Sequence, residues 1–493
     1  MGVIHPDPKI ITFMICFKAN GMQSKLITLS LALLLPLQSL AQELPTAVSK
    51  LLQKHGISES GVSVEVREVD KAESLLAVNP DVPRNPASVI KLLTTIGALE
   101  LLGPTYQWTT RYFIDGQVKA DTLEGNLVMV GGGDPFLTVD RFWSHALAIR
   151  ERGIRHIRGN LIIDNTLFNL PTHDRGAFDG KSQRLYNVGP DAALTNFSAT
   201  RFVIEPFGNK INVFADPPLA NLVVHNNLSP GQGKCVNRNA GWSMEISHLD
   251  GRIHAYFNGN YRPRCRAHSI SRSILSNAEY TYQLFRYLWQ SMGGTLSGGY
   301  RNGAAPETAI ALVDLPSRSL AENIASINKY SNNVMARQML LTIGSEWSVD
   351  ASMDTRISGI QAIRQWLDQI GVKTDGVIID NGSGLSRVSR ISAHQMNQLL
   401  QAAWQSTWRP EFMASLSLAA LDGTMRKRLK KSDLRGRARI KTGLINGVRS
   451  MAGYVHAQSG RHYIVSMMID STKVNYWNGN QVQDALLEWI YRL

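Results

Sequence analysis

The sequence is poor in the features that would tie it to metals, nucleotides or a span of the membrane. Its 12 histidines include no His-Glu-x-x-His and no paired zinc spacing, so neither a metal site nor a cofactor is expected. The glycine run Gly131-Gly132-Gly133 lacks the Gly-Lys-Ser/Thr ending of a phosphate loop, which leaves a tight turn as its reading. No basic-aromatic motif, zinc-finger spacing or recognition helix accompanies the positive charge, which argues against nucleic acid as a partner. After one early apolar run no second run of spanning length follows, so membrane contact is at most peripheral. Internal repeats and low-complexity tracts are absent as well.

Acidic residues are also in short supply, 39 against 52 lysines and arginines, for a net charge of +13. A chain this basic is drawn to anionic polymers, which in a bacterial envelope include the wall and lipid head groups. The remaining composition, 44% hydrophobic and 18% charged, is that of a folded protein, and 493 residues exceed what one core usually serves.

Residues 1–41 read as a segment to be removed. Lys25 precedes the apolar run Leu26 to Leu37, and Ser39-Leu40-Ala41 is a small-x-small cleavage pattern, so the mature chain is expected to start at Gln42 in the periplasm. Met22 stands in the place of an initiator, which makes residues 1–21 read as an upstream extension. Removal takes three lysines and one aspartate with it and leaves the net charge at +11. Of three cysteines only Cys235 and Cys265 remain, either as a disulfide closing a loop of about thirty residues or as two buried thiols. Neither has a catalytic setting.

Residues 47–55 predict a short helix, and the alternation Val62, Val64, Val66 within Gly61 to Val69 predicts a half-buried strand. A helix follows with Asn85 as cap, Pro86 in its first turn, an apolar body through Leu92, Leu93, Ile96, Leu99 and Leu102, and a stop at Gly103-Pro104. Near the other end, strands are predicted around residues 437–442, 450–457 and 462–468, and then a helix with Val482, Leu486, Trp489 and Ile490 on one face. An α/β (α+β) domain made from both chain ends is therefore expected, over 42–108 and 303–493. The intervening 109–302 have the texture of inserted domains, α/β-like over about 109–199 and β-rich over about 200–302.

Three short motifs occur in order: Ser88-Val89-Ile90-Lys91, Ser331-Asn332-Asn333 and Lys441-Thr442-Gly443. Ser-x-x-Lys, Ser-x-Asn and Lys-Thr-Gly form the motif set of penicillin-binding proteins and serine β-lactamases. On a helix, residues three apart share a face, so the Lys91 amine can reach the Ser88 hydroxyl and take its proton, provided burial and nearby positive charge keep it neutral. Lys441 is a candidate source of that charge. A decoy exists, because Ser326-Ile327-Asn328-Lys329 satisfies the first two patterns by itself; it lacks a helix start signal, whereas Ser88 has one.

Together with Gly131-Gly132-Gly133-Asp134-Pro135, Tyr330 to Asn333, Asp380 to Arg387 and Asp422-Gly423-Thr424-Met425, the triplet resembles the class C low-molecular-mass penicillin-binding proteins. These are D-alanyl-D-alanine carboxypeptidases and endopeptidases of peptidoglycan. The resemblance covers the mature chain, and the gap of about 240 residues between the first two motifs suits this class better than class A β-lactamases. It implies a penicillin-binding fold, stem peptides as substrates and β-lactams as inhibitors. It also implies Ser88 as the acylated nucleophile, Lys91 as its base and Ser331 as proton relay to the leaving nitrogen. Asn333 would bind the substrate backbone, Lys441 with Thr442 its terminal carboxylate, and Asp164 the stem-peptide side chain. One position departs from the pattern: Leu444 follows Lys-Thr-Gly where many relatives have a hydroxyl, although its N–H can still complete an oxyanion hole beside Gly443. A serine β-lactamase and a wall-binding protein without catalysis are the competing functions.

Overall fold

The computed structural model describes residues 43–350 and 352–493, so the expected leader lies outside the described residues. A six-stranded antiparallel sheet is assembled from the two ends of that span, in the order Ser417–Leu418, Ala438–Ile445, Val448–His456, His462–Asp470, Val62–Glu68 and Ser74–Val78. Helices Thr46–Lys54 and Tyr476–Tyr491 cover one face, where Val48, Leu52, Val482, Leu486 and Ile490 close over Val62, Val64 and Val66. Helix Lys91–Leu102 lies at the heart of the core on the other side, with Leu92, Leu93, Ile96 and Leu99 buried.

The strand at Val62–Glu68 alternates as expected, but it is buried on both faces because helices cover both. The even-numbered valines enter one core, while Glu65 on the opposite face is fully buried and held by Ser74 Oγ (2.6 Å) and His394 Nδ1 (3.2 Å). A buried carboxylate needs such partners to offset its desolvation.

The chain leaves this body along Gln107–Lys119 and returns along Ile310–Ser319, and these two strands pair antiparallel, Ile310 opposite Ile114 and Ser319 opposite Gln107. Trp108 stands at the crossing, buried, with its indole N–H on Thr342 Oγ1 (2.8 Å). Between the two strands lie the rest of a seven-stranded sheet and two three-stranded sheets, packed around Phe142, Phe202, Phe257, Phe285 and Trp289. Here the Gly131–Gly133 run serves close backbone approach: a Cβ on Gly132 would lie 2.1 Å from the Thr109 carbonyl oxygen. Cys235 and Cys265 are joined in a disulfide across 30 residues, and Cys265 sits in this second core.

The helix start at Asn85 is tighter than the sequence implies. Ala87–Ile90 form a 3-10 turn and the α-helix proper begins at Lys91, while Asn85 Oδ1 accepts from Ala87 N (2.9 Å). Ala87 takes a left-handed φ of 44°, a conformation that costs an ordinary residue about 1–2 kcal/mol and must be held from outside. The 380–387 segment does part of that. Asn85 Nδ2 donates to the Ser386 carbonyl (2.9 Å), and Gly384, at φ 74°, packs so close that a Cβ there would lie 1.9 Å from the Ala87 carbonyl oxygen. Gly384→Ala is therefore expected to destabilise the protein by about 2–4 kcal/mol, read as a lower urea midpoint in tryptophan fluorescence. An unchanged midpoint would show that the two segments yield freely.

Candidate active site

Three segments meet around Ser88. The first is its own turn, where Ser88 is half-buried and Lys91 fully buried. The second is the joint between helices Leu320–Tyr330 and Asn333–Trp347. Ser331 ends the first helix in a left-handed conformation (φ 59°, ψ 37°), and Asn332 caps the second by accepting from Val334 N and Met335 N. A sharp joint of this kind presents Ser331 and Asn333 together. The third is strand Ala438–Ile445, which carries Lys441, Thr442 and Gly443 past the turn. Only glycine fits there, since a Cβ on Gly443 would lie 2.7 Å from the Pro86 carbonyl oxygen and 3.0 Å from Ser88 N. On the adjoining strand, opposite Gly443, Ser450 Oγ donates to that same Pro86 carbonyl (2.5 Å).

Lys91 Nζ lies 3.0 Å from Ser88 Oγ and 2.7 Å from Asn333 Oδ1, and it also donates to the Ser383 carbonyl. Two of those partners only accept, while the hydroxyl can donate. A neutral amine has two hydrogens and one lone pair, so this set satisfies it completely, with the lone pair left for the Ser88 proton. Burial holds the Lys91 pKa well below its ordinary value, and the positive charges of Lys441 and Arg337 lower it further. Lys441 Nζ lies 3.0 Å from Ser331 Oγ and donates to the Thr442 carbonyl (2.8 Å); burial, then Arg449, bring its pKa down to about 7. Thr442 Oγ1 donates to Thr424 Oγ1 (2.9 Å). Ser88, Ser331, Thr442 and Leu444 border one cleft of about 320 Å³, and Gly423, Thr424, Arg426, Lys427, Arg449 and Tyr476 complete its lining.

Asp164 does not join this cluster. It ends strand Leu161–Asp164 in the seven-stranded sheet, buried, with Oδ1 accepting from Thr166 N (2.9 Å) and Thr166 Oγ1 (2.6 Å) and Oδ2 from Ala305 N (2.8 Å). Its carboxylate fixes the turn that leads into a second groove, lined by Thr166, Phe168, His173 and Arg175. The decoy pair also separates: Lys329 Nζ meets Asp422 Oδ2 at 2.5 Å and is held away from a catalytic role with Ser326. Sequence reasoning missed the Ser383 carbonyl, a backbone group without a residue signature, and Arg449, which lies outside all three motifs. Thr424 and Ser383 stand in segments singled out only through the family resemblance.

A sheet made from both chain ends, with the three motifs gathered between its outer strands and the helical core, defines a penicillin-binding-type domain. The chain belongs to the D-Ala-D-Ala carboxypeptidase 3 (S13) family, whose profile matches residues 44–493. Among relatives, the D-alanyl-D-alanine carboxypeptidase of an Actinomadura strain is 26% identical over 443 residues, covering 85% of this chain and 79% of its own. The D-alanyl-D-alanine carboxypeptidase DacB of Haemophilus influenzae is 25% identical over 454 residues, covering 87% and 90%. In solved structures, penicillin-binding protein 4 of Haemophilus influenzae matches with a TM-score of 0.73 at 20% identity, over 90% of this chain and 99% of that one, and it has also been crystallised with a β-lactam. A predatory peptidoglycan endopeptidase of Bdellovibrio bacteriovorus matches at 0.50 and 14% identity, over 87% and 92%.

The electrostatic coupling of the two lysines has a measurable sign. Under the reading in which Lys91 deprotonates Ser88 for acylation, removing the Lys441 charge in Lys441→Gln raises the Lys91 pKa, so the rising limb of the acylation rate against pH is expected to move to higher pH, with a lower plateau from loss of the Ser331 contact. Stopped-flow acylation by a chromogenic β-lactam reads both. A limb that stays in place would show that the charge of Lys441 does not reach Lys91.

Proposed function

We propose that the chain is a serine-type D-Ala-D-Ala carboxypeptidase and DD-endopeptidase, acting on peptidoglycan stem peptides and cross-links through an acyl-enzyme on Ser88. The observation that carries this reading is Lys91, buried 3.0 Å from the Ser88 hydroxyl, where burial and neighbouring positive charge hold its pKa well below the ordinary value. Neutral Lys91 takes the Ser88 proton as Oγ bonds to the penultimate D-alanine carbonyl carbon, and that carbonyl oxygen becomes an oxyanion facing the backbone N–H groups of Ser88 and Leu444. As the C–N bond breaks, the leaving nitrogen collects a proton through Ser331, which Lys441 adjoins at 3.0 Å. Asn333 binds the peptide backbone, and Lys441 with Thr442 lies toward the terminal carboxylate. The proton that Lys91 took is the one delivered to the leaving nitrogen, which returns Lys91 to its neutral form; water then attacks the ester, its proton passes to Lys91 and from there to Ser88 Oγ as the ester C–O bond breaks, and Ser88 is restored.

A β-lactam presents the same kind of carbonyl in a strained ring, and its ring nitrogen stays tethered after opening, which obstructs the water step. The crystallised complex of the Haemophilus protein with a β-lactam supports extending this inhibition to the present chain. Residues 42–108 and 303–493 form the catalytic domain in this reading and 109–302 the insert. Asp164 acts through the groove loop that it anchors. Cell-wall substrates and the leader-like residues 22–41 support a periplasmic location; among the described residues no helix is long and apolar enough to cross a membrane.

Incubation with a fluorescent penicillin is expected to label the unaltered chain stably and to leave Ser88→Ala unlabelled, and cross-linked muropeptides are expected to be cut to monomers that lose terminal D-alanine. Equal labelling of Ser88→Ala would overturn the nucleophile, and rapid release of hydrolysed drug with untouched muropeptides would make the enzyme a β-lactamase.

A further inference from the structure

The leaving group of the proposed reaction carries a carboxylate, and Leu444 has no hydroxyl to hold it. Across the hairpin the register sets Arg449 directly opposite Leu444, so the two side chains emerge on one face of the sheet and border the same cleft as Ser88 and Thr442. Arg449 is only 3% exposed, and several contacts fix it. One guanidinium nitrogen donates to the Gly443 carbonyl (3.2 Å), another donates to Asn480 Oδ1, and the Tyr476 ring lies 5.2 Å from the guanidinium carbon. Helix Tyr476–Tyr491 makes room for it at Gly479, where a Cβ would lie 2.5 Å from Arg449 Cγ.

What this arginine lacks is an anion in contact with it; Asp484 acts on it only from beyond ion-pair distance. Both of its hydrogen-bond acceptors are neutral, its Nε has no hydrogen-bond partner, and no carboxylate lies within ion-pair distance of it among the described residues. Asp484, the nearby acid, is taken by Arg428 at 2.7 Å. A buried cation with only neutral partners is unfavourable unless something charged is to join it. The two buried amines of the site are otherwise engaged: Lys91 meets Ser88, and Lys441, with a pKa of about 7, is only partly charged at neutral pH. Arg449, lowered to about 10 by burial, stays charged there, and its planar fork suits a carboxylate.

We propose that Arg449, fixed opposite Leu444, is the specificity-determining residue that pairs with the C-terminal carboxylate of the leaving D-alanine, in place of the hydroxyl missing at position 444. The inference rests on the reading of Ser88 as the nucleophile toward such peptides. It is tested by binding rather than turnover. In a Ser88→Ala background, calorimetry compares an N-acyl-D-Ala-D-Ala peptide bearing a free carboxylate with its C-terminal amide. The acid is expected to bind about 30-fold more tightly than the amide, the preference to fall below about 3-fold with Arg449→Gln added, and Arg449→Lys to lie between them. Retained binding of the amide shows that the Gln variant is folded. An acid preference that survives Arg449→Gln, or equal weakening of both peptides, would overturn the proposal, as would a parent that does not tell acid from amide. Failure of the underlying reading shows separately, as an absence of penicillin label on Ser88 in the unaltered chain, which does not depend on residue 449.

Discussion

Everything in the site depends on keeping a lysine amine in a place without water. Lys91 is fully buried, and an ammonium there is disfavoured by desolvation and by two neighbouring positive charges. The same side chain on an exposed helix would be protonated at neutral pH and useless as a base. The protein meets this need with three partners from distant parts of the chain, Ser88, Asn333 and the Ser383 carbonyl, whose donor and acceptor capacities match those of a neutral amine.

That requirement explains why so much of the architecture converges on one turn. The strained residues Ala87 and Ser331 each place a functional group where a relaxed backbone would not, and each is held by packing from elsewhere. Gly384 and Gly443 allow the 380–387 segment and the Lys-Thr-Gly strand to press against the Ser88 turn from two directions. The inserted region contributes from a distance: Arg337 donates to the Val188 carbonyl (2.8 Å) and Gln338 bonds both backbone groups of Asp191, which ties the helix carrying Asn333 to the insert. Arg337 also adds one of the charges that depress Lys91, so the anchor has an electrostatic consequence.

How far this could be read from the sequence follows from where the information lies. Ser88 and Lys91 were legible because a helix brings residues three apart together, and the alternation of valines fixed which face of the strand at Val62–Glu68 points to which core. The mixed α/β class and the sheet built from both chain ends followed from the strand and helix patterns near each terminus. Burial of both faces of that strand was not legible, because it depends on helices that pack from other parts of the chain. The 3-10 opening of the nucleophile helix was hidden for a similar reason, since the 380–387 segment helps impose it. Arg449 carries no local signal at all: it becomes meaningful only once the hairpin register sets it beside Leu444. Asp164, singled out by the resemblance for the stem-peptide side chain, also has a local role that its sequence context does not show: its oxygens accept from Thr166 and Ala305 at the end of strand Leu161–Asp164.

The charges around the cleft also bear on the order of events. Arg449 is one cause of the depressed Lys441 pKa, and Lys441 in turn is one cause of the depressed Lys91 pKa. A carboxylate paired with Arg449 would cancel much of the positive potential felt by Lys441, raising its pKa and increasing its protonated fraction. A protonated Lys441 is the form that can support proton delivery through Ser331 to the leaving nitrogen. On the proposed reading, occupation of the cleft by the anionic end of the substrate therefore favours a proton on Lys441, the state that proton delivery through Ser331 calls for. A neutral C-terminus would leave Lys441 less often protonated, so recognition of the leaving group and delivery of its proton become one electrostatic event.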